Sequence, residues 1–155
     1  MQKLLEKQRT LMISSLDKDN NPRISYSPYV NDGDKFYIYI SKIADHYHNI
    51  VNNPEISIMI IEDEKDVDIM FARERVSFAG KASILKENKE IIEKLSARQG
   101  KSIMDVLVGL DFDVFEIKIT SGRLVKGFGK AFDVKFVDGE FVTELVKVDK
   151  PNGHN

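Results

Sequence analysis

Residues 10–41 read TLMISSLDKDNNPRISYSPYVNDGDKFYIYIS, and the fold class is decided there. Thr10 to Leu16 has the apolar, β-branched character of a strand. The polar run Asp17, Asp19, Asn20, Asn21, Pro22 then makes a turn, because short polar side chains satisfy turn backbone and proline presets φ. A second strand is expected from Arg23 to Val30. NDGD at 31–34 is a hairpin signal of the Asp-Gly type before a third strand, Lys35 to Ser41. Three such runs form an antiparallel meander.

Working outward, Leu4 to Arg9 reads as a short helix leading into the meander. SKIADHYHNIVNNP at 41–54 reads as a polar turn and one short helix, which must stop at Asn53 because Pro54 disfavours the α region before it. Glu55 to Ile61 is a further strand, and Asp68 to Ile84 contains a long strand or a bent pair. Lys86 to Arg98 has helical spacing in Ile91, Ile92 and Leu95, with Gly100 ending the helix, and Ser102 to Leu107 adds one or two turns. Asp113 to Thr120 alternates as a half-buried strand, and Phe132 to Val137 with Phe141 to Val148 makes a last hairpin. Six or more short antiparallel strands with peripheral helices imply a mainly β protein, a closed or nearly closed barrel that removes exposed edges.

At 155 residues with 42% apolar side chains, the chain is expected to form one domain spanning 1–155 with a short tail at 149–155. Lys plus Arg total 23 against 25 Asp plus Glu, a net charge of −2, so there is no basic field for nucleic acid or a membrane surface. The longest apolar run, Ile56 to Ile61, is far below spanning length, and MQKLLEKQRT lacks a signal-peptide core. A cytoplasmic protein is expected. The absence of cysteine removes disulfides, thiolate metal sites and cysteine nucleophiles together.

The residues with chemical potential cluster in a few places. A strand, a polar turn and a short helix build an anion pocket readily, and His46 lies at the start of that helix. His46 and His48 are about 200° apart around a helix, so they do not share one metal ion; His48 is expected to be solvated. In FARERV at 71–76, a strand reading puts Phe71, Arg73 and Arg75 on one face. Two readings stand for the arginines: a surface ladder against Glu62, Asp63 and Glu64, or a pair of guanidiniums forking onto carboxylate or phosphate. Gly122, Gly127 and Gly129 in SGRLVKGFGKAF lack the spacing of a dinucleotide fingerprint and suit a bulge or a close approach to a flat ligand or a second subunit. Arg123 and Lys126 flank that segment and are candidates for meeting anions. His154, in the terminal PNGHN, reads as part of a tail or as an axial ligand to iron.

The runs LMISSLDKDNNPRISYSPYV, FYIYISKIADHYHNIVNNPEISIMIIEDE, IMFARERVSFAGKA and SGRLVKGFGKAF, together covering roughly residues 10 to 135 in order, resemble the haem-utilisation (HugZ/HutZ-type) subfamily of the pyridoxamine 5′-phosphate oxidase-like, FMN-binding split barrels. The resemblance implies a Greek-key split barrel, a homodimer with sites at the subunit interface, and haem as both substrate and oxygen-activating centre. It also implies an external electron donor and a haem oxygenase-like, haem-degrading activity that releases iron. The alternatives are an FMN-binding oxidoreductase of the same fold and a non-enzymatic haem carrier.

Departures from the flavin pattern favour haem. The Arg-Lys pair that grips the FMN phosphate is matched here by Asp45 and His46, and a carboxylate beside a dianion is repulsive. Arg23 matches the arginine that opens the preceding strand, but the lysine expected five residues on is Pro28. Under the haem reading the resemblance assigns Arg73 or Arg75 to the distal side and His154 to the axial position. Asp111 or Asp113 of a second subunit would then support that histidine. Arg123, Lys126 and the region of Ser41 and His46 would meet propionates.

Overall fold

The structure, a computed structural model, describes residues 1–147. Its first three strands are β1 (Thr10–Leu16), β2 (Pro22–Asp32) and β3 (Lys35–Ser41). Helix α1 (Gln2–Lys7) precedes them. Helix α2 (Asp45–Asn52) carries the chain across the barrel end to β4 (Glu55–Ile61), which pairs with β1 and not with β3. The spatial order of strand four beside strand one, then two and three, is the Greek key. β5 (Arg75–Ile84), helices α3 (Lys89–Gln99) and α4 (Lys101–Val108), and the long β6 (Phe112–Lys126) follow. β7 (Lys130–Val137) and β8 (Glu140–Leu145) form the last hairpin.

The barrel closes because β6 pairs with both β5 and β3, Phe36 registering with Ile117 and Tyr39 with Val114. Six strands, β3-β2-β1-β4-β5-β6, therefore form a closed antiparallel ring. At the register shift between Ala79 and Gly80, the Thr120 hydroxyl donates to the Ala79 carbonyl at 3.2 Å. Beyond that bulge β6 exchanges β3 for β7, so the barrel splits and the β7–β8 hairpin continues the sheet as a separate arm. A bulge is the usual means by which a strand turns such a corner.

Alternation places Leu11, Ile13, Phe36, Ile38, Ile58, Ile60, Val76, Phe78, Phe115 and Ile117 inside the barrel, with Leu4 and Leu5 of α1 and Ile50 of α2 joining the same core. A second cluster, Val30, Tyr37, Val114, Ile91, Leu95 and Met104, seats α3 and α4 on the outer face of β2, β3 and β6. Among the described residues no helix is long and apolar enough to cross a membrane.

One expectation is corrected. FARERV is not a strand from its start: Met70–Ala72 is a single 3₁₀ turn, and β5 begins only at Arg75. The cause is local hydrogen bonding: the N–H of Ala72 donates to the Ile69 carbonyl at 3.0 Å, and Glu74 pairs through its backbone with Glu62 at the end of β4. Phe71 and Arg73 therefore do not share a strand face with Arg75. The glycines have roles within the chain itself. Gly122 does allow a close approach, but the neighbour is the chain's own Phe78, whose ring would lie 2.6 Å from a Cβ placed there. Gly127 and Gly129, with φ of +62° and +68°, make the β6–β7 turn, a conformation that costs glycine least.

Candidate functional site

A cleft of about 830 Å³ opens where the start of β2 meets α2, lined by Asp17, Lys18, Asp19, Arg23, Ile24, Ser25, Tyr26, Ala44, Asp45, His46, His48, Asn49 and Asn52. Its position follows from the Greek-key crossing, since α2, in linking β3 to β4, must pass over the ends of β2 and β1 that lie between them. Asn53 is extended, with φ −138° and ψ 105°, so the helix ends where Pro54 requires.

His46 sits in the first turn of α2, half-buried, with its Nδ1 2.7 Å from the Ser25 hydroxyl oxygen on β2. Burial holds the imidazole below its ordinary pKa, opposed in part by the neighbouring Asp45 carboxylate. His48 is exposed on the same wall and lies edge-on to the Tyr47 ring at 5.4 Å. Tyr47 points the other way, into the barrel end. Its hydroxyl donates to Asp113 Oδ2 at 2.5 Å, and this bond, followed by burial, pushes the phenol up to about 12. Lys42 reaches both Asp111, at 3.5 Å, and Asp113, at 3.9 Å.

Arg23 enters the cleft already paired. Its Nε and Nη2 both lie 3.0 Å from Asp17 Oδ2, while Asp17 Oδ1 accepts the backbone N–H groups of Asp19 and Asn21 at 2.9 Å. Those contacts, the Asn21 N–H first, hold the Asp17 carboxyl below its usual range. Three carboxylates, Asp17, Asp19 and Asp45, line the cleft with two cations, Lys18 and Arg23, so the lining does not favour a dianion.

Of the residues expected from sequence, Arg23 and His46 meet in this cleft. Ser41 does not line it. Its Oγ accepts the Ile43 N–H at 3.2 Å and its carbonyl accepts the Ala44 N–H at 3.1 Å, which shapes the turn into α2. Arg73, Arg75, Arg123 and Lys126 form a second group. Arg73 Nε donates to the Glu62 carbonyl at 2.6 Å, and Arg75 Nη1 donates to the Arg73 carbonyl at 2.9 Å. Arg73 thus does meet the acidic run, through the backbone of Glu62. Arg123 pairs with Asp133 at 3.1 Å, and Lys126 ends β6 opposite Lys130.

Arg73 and Arg75 lie toward the other end of the strands from Arg23, whereas Arg123 shares a register row with Tyr26 of the cleft. Arg23 registers with Ser15, and Arg75 with Ile61, which the β1–β4 register places near Thr10. Five residues of strand separate them, roughly 17 Å. His154 lies outside the described residues.

Sequence reading missed Ser25, Tyr47 and the apolar rim of Ile24 and Tyr26, 78% and 67% exposed. A signal for Ser25 existed. It shares the inward face of β2 with Tyr29, and a polar side chain at an inward position calls for a polar partner.

A closed six-stranded antiparallel ring, a hairpin arm leaving it at a bulge, and a polar cleft under the crossing helix define a split-barrel protein. The chain belongs to the pyridoxamine 5′-phosphate oxidase family, whose model matches residues 1–126. It is a homologue of the haem oxygenase HutZ of Vibrio cholerae, 33% identical over 153 residues that cover 96% of this chain and 84% of HutZ. A crystal structure of HutZ, described as a haem storage protein, superimposes with a TM-score of 0.74 at 36% identity, covering 83% of this chain and 93% of that one. Campylobacter jejuni ChuZ superimposes with a TM-score of 0.81 at 26% identity, covering 99% of this chain and 65% of ChuZ.

Proposed function

We propose that this protein binds haem and degrades it when supplied with electrons and O₂, releasing iron, and that it works as a cytoplasmic homodimer. The observation that carries the reading is the likeness to a haem oxygenase over 96% of the chain. The cleft is compatible with it. Its volume lies within the roughly 300–1,000 Å³ of small-molecule sites, and Ile24 and Tyr26 offer apolar surface to a flat ring. Asp45, in the first turn of α2, occupies the place where a helix N-terminus would otherwise receive a phosphate. That disfavours FMN.

Haem, when bound, supplies both the substrate and the iron that activates O₂. The chain binds it, orients it and excludes water. Under this reading His154 would hold the iron, and Arg23 and His46 would meet carboxylates of the ligand in the cleft. Arg73 or Arg75 would donate hydrogen bonds where negative charge develops, and Arg123 and Lys126 would meet carboxylates near the arm. Pinning each of Arg73 and Arg75 to a backbone carbonyl gives the guanidinium a fixed direction and leaves it further N–H donors. Arg75 lies roughly 17 Å from Arg23 along the strands, a separation that a second copy could bridge by bringing its own arginines to the ligand. A composite site between two copies is therefore part of the proposal.

The test is to offer haem and FMN in turn to the purified protein, following the Soret band and flavin fluorescence. Tight, stoichiometric FMN with no Soret change overturns the haem reading in favour of a flavin oxidoreductase. The description of a HutZ structure as a storage protein favours one second reading, a haem carrier; haem that binds and stays intact with ascorbate or a reductase would establish it.

A further inference from the structure

Ser25 and His46 face each other at 2.7 Å, Oγ to Nδ1, and the hydrogen atom between them decides what His46 does. Two arrangements are possible. If Nδ1–H donates, Nε2 keeps a lone pair and is a metal ligand; the serine hydroxyl then needs an acceptor of its own. Among the described residues the Ser25 hydroxyl has no hydrogen-bond partner besides the His46 ring, so with Nδ1–H donating it would have only the solvent of the cleft to donate to. If the Ser25 O–H donates to Nδ1, the hydroxyl is satisfied and the neutral ring carries its proton on Nε2. In the second arrangement the protein itself satisfies the Ser25 hydroxyl, and the Nε2–H is left for the cleft.

The surroundings agree. Ser25 lies on the inward face of β2, in register with Ile13 of β1, so its backbone is fixed by the barrel. The charged and titratable groups lining the cleft with His46 are Asp17, Lys18, Asp19, Arg23 and Tyr26 from the β1–β2 side and Asp45 and His48 from α2. Burial keeps His46 neutral below its ordinary range, so the ring enters the cleft as an uncharged donor. Arg23 is neutralised by Asp17. An acceptor-only group on a ligand therefore finds the His46 N–H as a donor that no carboxylate of the cleft already occupies among the described residues.

We infer that Ser25 is a positioning residue that locks His46 as the Nε2–H tautomer, and that His46 thereby serves as a hydrogen-bond donor to a carboxylate of the bound ligand and not as an iron ligand. The carboxylate role rests on the haem reading; the tautomer does not.

Long-range ¹⁵N–¹H correlation on protein labelled in its histidines reads the tautomer with no ligand present. The expected spectrum has His46 protonated at Nε2 in the wild type and in Ser25→Thr, and shifted toward Nδ1–H in Ser25→Ala. Nδ1–H in the wild type, or a Ser25→Ala spectrum identical to wild type, overturns the lock. The carboxylate role is read by titrating iron(III) protoporphyrin IX and its dimethyl ester onto wild type and His46→Leu. Loss of the donor should weaken the free acid by about tenfold or more and leave the ester unchanged. Equal weakening of both, or no weakening of either, overturns it. A wild type that binds neither porphyrin overturns the haem reading and the carboxylate role together, while the tautomer is judged by the first measurement alone.

Discussion

At the scale of single residues, the most consequential contact outside the cleft lining is Tyr47 to Asp113, because it ties the helix carrying His46 to the barrel wall. Tyr47→Phe leaves a half-buried carboxylate with only Lys42 beside it, and the expected loss is about 1–3 kcal/mol in urea unfolding. Its pH dependence has a definite sign. The phenol ionises near 10 in an unfolded chain and at about 12 in the fold. The bond therefore contributes fully below pH 10 and is lost as pH rises through 12. The stability difference between wild type and Tyr47→Phe should shrink over that window, and a difference constant from pH 8 to 12 would contradict the assignment. The second prediction concerns the arginines. Under the proposed function, Arg73→Ala or Arg75→Ala should lower the rate of haem loss by about 10²-fold while haem still binds, as for other preorganised donors. Full activity in both returns them to the structural role of holding the turn after β4.

At the scale of elements, α1 is the clearest case of tertiary docking. Six residues form no stable helix alone, yet Leu4 and Leu5 are buried in the barrel core. Arg98 of α3 holds the helix end, donating to the carbonyls of Leu5, Glu6 and Gln8, with its guanidinium 4.7 Å from the Tyr29 ring centroid. The Tyr29 hydroxyl donates to the Leu5 carbonyl at 2.7 Å. Arg98→Ala should cost roughly 2–3 kcal/mol and raise hydrogen exchange in α1 while leaving β4 and β5 protected. Uniform exchange across the barrel would show that α1 is not held separately. A second element-level test falls on β6. Gly122→Ala forces a methyl against Phe78 and should destabilise by about 1–3 kcal/mol, with Phe78→Leu restoring part of the loss in the double variant. Additive losses would remove the close approach as the cause.

At the scale of the molecule, α3 and α4 cover the outer face of β2, β3 and β6, while among the described residues neither of them packs on β1, β4 or β5. One register row crosses that open face from Tyr26 through Met12, Met59 and Ser77 to Arg123. A second copy related by twofold symmetry would cover it and would bring each cleft toward the arginine group of the other chain. Met12→Glu, placed in the middle of that row, should convert a dimer to a monomer in light scattering and abolish tight haem binding with it. A wild-type monomer that binds haem normally would overturn the composite site.

What the sequence determined by itself is the set of features that depend on neighbours along the chain. The strands at 10–16, 35–41 and 55–61 fall where alternation and turn chemistry place them, and the stop at Asn53 is enforced by Pro54. The family was legible for the same reason, through short motifs kept in order. Tertiary structure decided the rest. FARERV has strand-like alternation, but hydrogen bonds to Glu62, eleven or more residues earlier in the chain, hold its first half as a turn. The glycine at 122 serves a ring on another strand. Ser25 and His46, 21 residues apart, become partners only because α2 crosses the barrel end. Long-range pairing leaves almost no local trace, since a serine in a strand reads the same whether it faces water or an imidazole. That contact fixes which nitrogen of His46 a ligand meets, so the chemistry of the cleft is set by the fold and not by the motif that contains the histidine.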